Sequence, residues 1–408
     1  MYVSRTAEAG PPLHPRVEAM RHAVTLAALA VLLAPVGCAS APAARPDPAR
    51  EDEHMALARR VLSTTPLFDG HNDLPWAIRD NDAAPHDVVA YDLRGTTPGH
   101  TDIARLRAGM VGAQFWSVYI PYDAVEEGAA RVQLEQIDIA QRVFERYPDV
   151  FQEALTPDDA VAAFESGRIA SVMGMEGGHA IENSLGALRA FHRLGARYLT
   201  LTHSSNIDWA DSCCEPAEHG GLTEFGKEVV REMNRLGMLV DLSHVSPETM
   251  HDALDVTEAP VIFSHSSARG VTDHDRNVPD DVLRRLPATD GVVMITFVPS
   301  FITTELPATI GDVIAHIEHV RDVAGMEHVG IGADYDGISS TPEGLEDVAT
   351  YPVLFAELAR RGWSEGELRK LAGENVLRVW RKAEDTRIRL RARPASTATI
   401  EALDGSGR

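Results

Sequence analysis

The sequence contains few cysteines, few basic residues relative to acidic ones, and only a short apolar run. Its three cysteines, Cys38, Cys213 and Cys214, are too few for a disulfide framework and leave no CxxC zinc spacing. The formal net charge of -23 provides no basic patch for phosphates, so nucleic acid and anionic lipid are not expected as partners. A chain of 408 residues, 44% hydrophobic and 24% charged, is typical of a globular protein, and its acidity suits an enzyme for a small molecule.

The short apolar run, residues 23–36, follows the positive pair Arg21-His22, as in secretory signals, and is too short to span a bilayer. It leads into Val-Gly-Cys-Ala-Ser around Cys38, which resembles a bacterial lipoprotein signal in which the cysteine is lipidated. Residues 1–38 are therefore predicted to be a signal segment whose true start is Met20. We expect an exported lipoprotein on the outer face of the cell membrane, and the alternative is cleavage near residues 39–41 with free secretion.

Composition divides the remainder into three parts. Residues 39–54 are rich in proline, alanine and charge, without apolar periodicity, and predict an extended tether. Residues 55–383 are expected to form the folded catalytic domain. Residues 384–408, rich in Arg, Ala, Thr and Gly, predict a flexible C-terminal tail.

Strand-like and helix-like segments alternate through the predicted domain. Eight runs rich in β-branched residues predict strands at 66–69, 113–120, 169–175, 198–202, 238–242, 261–264, 292–297 and 328–331. Helical periodicity appears at 130–147, 184–194, 222–236, 247–254, 310–323, 353–360 and 364–371. This alternation predicts an α/β fold with a parallel sheet closed into a (β/α)8 TIM-type barrel. The alternative, a doubly wound open sheet, would concentrate polar residues at one switch point, whereas here they follow most strands.

Acidic and imidazole side chains follow these strands, at His71, Asp73, Glu176, His244, His265 and Asp334. His71 and Asp73 are two residues apart and face the same side of an extended chain. Alone, each histidine is more readily explained as structural. Together, three imidazoles and two carboxylates at one barrel end form a nitrogen and oxygen donor set suited to zinc or a similar divalent metal. Asp334 is placed to accept a proton from a metal-bound water, whereas Asp336 is equally explained by an Asx-turn.

The segments DGHNDLPW, GAQFWSVY, MEGGHAI, YLTLTHSSN, DLSHVS, VIFSHSSAR, RNVPDD and GADYDG, in this order, resemble the membrane dipeptidase (renal dipeptidase) family of metallopeptidases. The resemblance covers about residues 67–380. It implies an amidohydrolase-like barrel with two zinc ions per chain. One zinc would be held by His71 and Asp73, the other by His244 and His265, with Glu176 bridging the two.

The resemblance also implies three substrate-contacting residues. His203 would polarise the scissile carbonyl or bind its oxyanion, Arg276 would hold the terminal carboxylate, and Asp334 would handle the proton. A metal-bound hydroxide would then hydrolyse small dipeptides, including those with a C-terminal D-residue. Related proteins are often dimers, so a homodimer is an open expectation, and membrane contact is expected only through the N-terminal lipid.

Two other functions stay open from the residues alone. Another metal-dependent amide or ester hydrolase, such as a lactonase or a deacylase, can use the same barrel, although a neutral lactone offers Arg276 nothing to pair with. The other is a lipid-tethered binding protein that keeps the metal site as scaffold. The adjacent Cys213 and Cys214 are predicted to be incidental thiols, with a strained vicinal disulfide as the alternative.

Overall fold

The computed structural model describes residues 52–405, in which nine parallel strands alternate with helices. The strands are β1 (Leu67–Asn72), β2 (Val111–Ser117), β3 (Phe151–Glu153), β4 (Ile169–Glu176), β5 (Ala196–Thr200), β6 (Leu239–Asp241), β7 (Ile262–Ser266), β8 (Val292–Ile295) and β9 (Val329–Ile331). Eight of them close into a ring, because β1 pairs with β2 on one side and with β9 on the other. β3 lies outside this ring and pairs with the first residues of β4. The predicted (β/α)8 barrel is confirmed, and the open sheet is wrong.

Helices connect these strands and cover the outside of the barrel. They are α1 (Glu53–Thr64), α2 (Leu74–Arg79), α3 (Ile103–Ala108), α4 (Ala124–Glu127), α5 (Ala129–Arg146), α6 (Pro157–Glu165), α7 (Leu185–Arg193), α8 (Glu224–Leu236), α9 (Pro247–Val256), α10 (Asp280–Leu283), α11 (Leu286–Thr289), α12 (Pro299–Ile302), α13 (Ile310–Ala324), α14 (Tyr351–Arg360), α15 (Glu365–Arg369), α16 (Asn375–Leu390) and α17 (Ile400–Asp404). All seven predicted helices are present within a few residues of their predicted bounds. Apolar periodicity located them because each buries one face against its neighbours.

The barrel interior is a packed core. Every residue of β2 and of β4 is buried, since helices cover one face of each strand and interior side chains cover the other. Phe68 of β1 and Phe115 of β2 stack with their ring centroids 4.8 Å apart. Trp380 of α16 packs against both rings, at 6.2 and 6.1 Å. The strands therefore form a rigid base for the residues at their carboxyl ends.

The C-terminal segment that was predicted to be a flexible tail, residues 384–408, contains two helical stretches. α16 continues to Leu390, with Ala383, Thr386 and Leu390 buried on one face. Beyond it, Asp404 in α17 accepts a hydrogen bond from the backbone N–H of Phe225 at the start of α8. The polar composition concealed this docking, because much of it consists of hydrogen bonds between side chains and distant backbone groups.

The signal segment, most of the tether and Cys38 lie outside the described residues. Of the tether, residues 52–54 are described: Asp52 caps α1 by accepting from the backbone N–H of His54. Within residues 52–405, no helix has both the length and the apolar composition needed to cross a membrane.

Candidate metal centre

The strand ends bring six predicted side chains into one cluster. Three lie within or at the end of a strand: His71 in β1, Glu176 at the last position of β4, and His265 in β7. Asp73 and Asp334 follow β1 and β9, which are neighbours in the barrel. A hydrogen bond of 3.2 Å from the Asp334 N–H to the carbonyl of His71 connects the segment after β9 to β1. His244, which follows β6, completes the set.

Glu176 lies at the centre of this cluster, with its two oxygens facing different partners. Oε2 is 3.5 Å from Nε2 of His71, which in turn is 3.2 Å from Oδ2 of Asp73. Oε1 is 3.0 Å from Nε2 of His244 and 3.2 Å from Nε2 of His265. A carboxylate with donors on both sides has the arrangement required of a ligand that bridges two cations.

The donor atoms of the cluster fit a divalent metal. Nε2 of His244 and Nε2 of His265 face each other at 2.9 Å. Nε2 of His71 and Oδ1 of Asp73 are buried and have no hydrogen-bond partner among the described residues. Three overlapping groups of ligand atoms lie within 4.8 Å of one another: His71, Glu176 and His265; Glu176, His203 and His244; His71, Asp73 and Asp334. Neutral imidazoles with carboxylates are the donors that zinc and similar ions prefer.

A buried carboxylate, Asp241, orients His265 towards the cluster. It accepts from the backbone N–H groups of Ser243 and Ser264 and from the hydroxyls of Thr200 and Ser264. The Ser264 hydroxyl also lies 2.8 Å from Nδ1 of His265. Because this hydroxyl donates its one proton to Asp241, it must accept from Nδ1–H, which leaves a lone pair on Nε2 directed at the cluster.

Asp69 on β1 is a second buried carboxylate that accepts hydrogen bonds behind the cluster, as Asp241 does on β6. One of its oxygens accepts from the backbone N–H groups of His71 and Ala333, and the other accepts from the Tyr351 hydroxyl. Burial raises the pKa of Asp69 to about 6. On the same strand, Nδ1 of His71 lies 2.9 Å from the hydroxyl of Tyr198.

The sequence reasoning did not identify these supporting residues. Asp69 and Asp241 precede His71 and His244 by two and three positions, and an acidic residue so close to a strand-end histidine was the available signal.

The electrostatics of the cluster give two of its imidazoles the neutral form that metal ligands need. Burial lowers the pKa of His244 and of His265 well below the ordinary value, so both rings are neutral. Burial acts to raise the pKa of Glu176, but the charge of His71 and the contacts with the other imidazoles lower it far more. Burial also acts to lower the pKa of His71, but Tyr198 and the nearby carboxylates raise it well above the usual range. A proton on His71 and a bound cation therefore compete for the same carboxylates.

The backbone has strained conformations at the same strand ends. His244, Asp334 and Asp336 have φ values of 68°, 72° and 66°, in the left-handed region that side chains other than glycine rarely adopt. Next to them, a Cβ on Gly337 would lie 2.3 Å from Oδ2 of Asp73. Only glycine lets the chain pass this close to the carboxylates.

A cavity of about 630 Å³ opens above the cluster, and the two remaining predicted residues line it. Arg276 is 4% exposed, and its Nη2–H donates to the carbonyl of His265. Its Nε and Nη1 atoms are buried without a hydrogen-bond partner in the described chain, and the guanidinium lies 5.4 Å from the ring centroid of Phe301. The His203 ring lies 4.4 Å from that of His244, and burial lowers the pKa of His203. The structure thus brings seven of the eight predicted residues to the wall of one cavity, and the eighth, His71, lies in the cluster against Glu176. Their roles stay predictions.

A (β/α)8 barrel with such a donor set at its strand ends is the structure of a metal-dependent hydrolase. The comparison with protein families narrows this class. The family model described as membrane dipeptidase (peptidase family M19) matches residues 55–394. The chain belongs to this family, and so is a metallodipeptidase by family.

Solved structures agree with this assignment. The chain is similar to a metallopeptidase of family M19, dipeptidase AC, with 30% identity and a TM-score of 0.72 over 78% of this chain and 99% of that one. It is similar to a metallopeptidase from Rhodobacter sphaeroides liganded with a phosphinate mimic of L-Ala-D-Ala, with 29% identity and a TM-score of 0.70 over 78% and 99%. The probable dipeptidase PvdM from Pseudomonas aeruginosa shares 21% identity, with a TM-score of 0.74 over 82% and 99%, and supports the fold alone.

Proposed function

We propose that this protein is a zinc-dependent dipeptidase that hydrolyses dipeptides with a free C-terminal carboxylate. The observation that carries the proposal is Arg276, which lies in the wall of the cavity that Asp334 also lines. Its guanidinium is buried, and two of its nitrogens have no hydrogen-bond partner in the part of the chain that the structure describes. A buried cation without a carboxylate partner is costly unless a ligand supplies one. A neutral lactone would leave it unpaired, which argues against the lactonase alternative.

The proposed metal ligands form two sets that share Glu176. His71 and Asp73 would hold one zinc ion, and His244 and His265 would hold the other. When bound, such a pair of cations supplies an activated water at neutral pH and polarises the substrate carbonyl. The burial of the donors and the support from Asp241 behind His265 are the observations in favour of these ligand roles.

His203 and Asp334 are proposed to act on the reacting atoms. His203 lies beside His244 at the cavity wall, where a ring N–H can donate to the developing oxyanion of the peptide carbonyl. Burial, together with repulsion from Asp73 and Glu176, raises the pKa of Asp334 well above its ordinary value, although His71 opposes this shift. A carboxyl group with a raised pKa can hold a proton and pass it to the leaving amine.

Arg276 is proposed to set the substrate length. A guanidinium can bind a carboxylate through two parallel N–H donors, and a carboxylate at a fixed distance from the reacting carbonyl selects dipeptides over longer chains. The relative from Rhodobacter sphaeroides is liganded with a mimic of a dipeptide that ends in D-alanine, which supports acceptance of a C-terminal D-residue here.

The test compares a dipeptide with its C-terminal amide, using zinc-loaded protein with and without a chelator. We expect hydrolysis of L-Ala-L-Ala and L-Ala-D-Ala, loss of both activities on chelation, and kcat/KM for the amide about 10- to 100-fold lower, because a hydrogen bond to a charged group contributes about 1.5–3 kcal/mol. Arg276→Met should remove the preference for the free acid.

The matched control is Arg269→Met, on the same loop. The Arg269 guanidinium contacts the His274 carbonyl and Asp275. If both variants lose the preference equally, the effect belongs to the loop and not to Arg276. If the wild-type protein hydrolyses acid and amide equally well, the substrate assignment is wrong.

We also propose that the protein is exported and anchored by lipid on Cys38, on the sequence pattern around that residue. Mass spectrometry of the mature protein should find Cys38 at the N-terminus with an acyl modification. An unprocessed N-terminus, or one at residues 39–41 without lipid, would contradict the anchor.

A further inference from the structure

Two adjacent thiols lie at the wall of the catalytic cavity, on the loop that follows β5. Cys214 is exposed and lines the cavity together with His203, Arg276 and Asp334. Cys213 is partly buried, and its Sγ lies 2.7 Å from the Sγ of Cys214. The proposed hydrolysis uses neither thiol. The two side chains therefore form a pair of nucleophiles at the substrate entrance without an assigned role.

Backbone contacts connect this pair to two residues of the centre. The Cys213 N–H donates to the carbonyl of His244 over 2.7 Å. The neighbouring hydroxyl of Ser212 donates to the carbonyl of His203 over 2.7 Å and accepts from the N–H of Cys214 at 3.2 Å. The Cys213-Cys214 peptide is thus hydrogen-bonded directly to the backbone of His244 and, through the Ser212 hydroxyl, to that of His203.

We propose that Cys213 and Cys214 form a thiol modification site that reacts with low-molecular-weight disulfides bearing carboxylates and thereby closes the cavity to substrate. The closure rests on the proposed function, in which Arg276 binds the substrate carboxylate. Arg276 lines the same cavity as Cys214. A carboxylate of the reagent can pair with its Nε and Nη1 atoms, which have no hydrogen-bond partner within residues 52–405. Oxidised glutathione has this chemistry.

The reaction is a pair of thiol–disulfide exchanges. The Cys214 thiolate attacks one sulfur of the reagent, which forms a mixed disulfide and releases one thiol. Cys213 then loses its proton and attacks the Cys214 sulfur, which releases the second thiol and closes a ring of the two cysteines. The two protein thiols lose two electrons and two protons, and the reagent disulfide gains them. The neighbouring Cys213 thiol acts to lower the pKa of Cys214, which favours the thiolate that starts the exchange.

The resulting ring is expected to be reversible. Consecutive Cα atoms are about 3.8 Å apart, which is shorter than the roughly 4.4–6.8 Å usual across a disulfide. A strained disulfide is more easily reduced than an ordinary structural one. Reducing agents should therefore restore the open cavity.

The experiment incubates zinc-loaded protein in glutathione buffers of increasing oxidised fraction. Peptide mass spectrometry should show loss of two hydrogens from the peptide with both cysteines, and dithiothreitol should restore them. Over the same range, kcat/KM for L-Ala-L-Ala should fall about tenfold or more, since a misplacement of about 1 Å in a site costs up to 10²-fold. Calorimetry with a hydrolysis-resistant phosphinate dipeptide gives a readout of binding that does not depend on turnover, and binding should weaken in parallel.

Variants of the pair separate the steps. Cys213→Ser should stop at the glutathione adduct on residue 214, and Cys214→Ser should resist both modification and inhibition while keeping its activity in reducing buffer. The Cys213→Ser/Cys214→Ser double variant retains Cys38 and controls for that residue. Inhibition that persists in the double variant would overturn the inference, as would an oxidised wild-type protein that binds the phosphinate normally. Failure of the reduced protein to hydrolyse any dipeptide would instead overturn the proposed function.

Discussion

Asp334 and Glu176 are buried carboxylates of the same cluster, yet their surroundings shift their pKa values in opposite directions. Glu176 faces imidazoles that stabilise its charge, whereas Asp334 faces Asp73 and Glu176, whose charges disfavour its own. Two titratable groups whose pKa values are shifted in opposite directions typically have different roles in a mechanism. Here the ionised Glu176 suits a metal ligand, and the proton-holding Asp334 suits a general acid.

The Asp334→Asn variant tests this division of roles. It keeps the shape of the side chain but cannot transfer a proton, so kcat should fall by about 10²- to 10⁴-fold. Metal content, measured by elemental analysis, should stay unchanged. The matched control is Asp80→Asn, which alters another carboxylate lining the same cavity and should leave kcat within a fewfold of the wild type. Turnover near normal in Asp334→Asn would remove this residue from the mechanism.

At the scale of the elements, hydrogen bonds connect neighbouring strands behind the proposed metal ligands. Asp241, the last residue of β6, accepts hydrogen bonds from β5 through Thr200 and from β7 through Ser264. The same Ser264 hydroxyl holds His265. The relative positions of β5, β6 and β7 and the orientation of the His265 ring thus depend on one buried carboxylate. Hydrogen bonds that orient a metal-binding side chain contribute to the affinity of a site for metal.

Removing one of two hydroxyl groups at a time distinguishes the orientation of the His265 ring from a general contribution to the pairing of the strands. Ser264 and Thr200 donate to the same oxygen of Asp241, but only the Ser264 hydroxyl also contacts His265. Ser264→Ala should lower metal affinity by about 10- to 100-fold, as loss of such a partner usually does. Thr200→Val should change it little. The measurement is competition for zinc against a chromophoric chelator, and equal losses in the two variants would contradict the proposed orientation of His265.

At the scale of the whole molecule, the candidate metal centre forms only because the barrel closes between β9 and β1. Asp334 meets His71 across the junction of β9 and β1, although 263 positions separate them in the chain. The cluster concentrates carboxylates in the interior of a protein whose net charge is already -23. A cation bound by these proposed ligands would offset this repulsion in the folded state alone, since the donors separate on unfolding.

Removal of metal should therefore lower the melting temperature. A ligand present at about 100 times its Kd contributes about 2.7 kcal/mol, which corresponds to roughly 3 °C or more for a chain of this size. Differential scanning calorimetry before and after dialysis against chelator measures the shift, and restored zinc should reverse it. An unchanged melting temperature, in protein shown by elemental analysis to be free of metal, would mean that the cluster does not bind metal in the folded state.

Much of this could be predicted because it depends on local properties of the chain. Runs of β-branched residues located all eight barrel strands, and alternating strands and helices predicted their parallel pairing. β3 was missed because its three residues, Phe151–Glu153, are too few to form a pattern. The donor types at residues 71, 73, 176, 244 and 265 could also be read directly, since a parallel barrel gathers its strand ends at one rim.

The sequence by itself determined the order of the elements and the chemistry available at the strand ends, because both follow from short-range periodicity. Only the tertiary structure decided the distances around Glu176, the burial of Arg276 at the cavity wall, the contact of Asp241 with Ser264 and the docking of α17. Each of these depends on groups that are distant in the chain, and their approach is set by barrel closure and side-chain packing rather than by any local pattern.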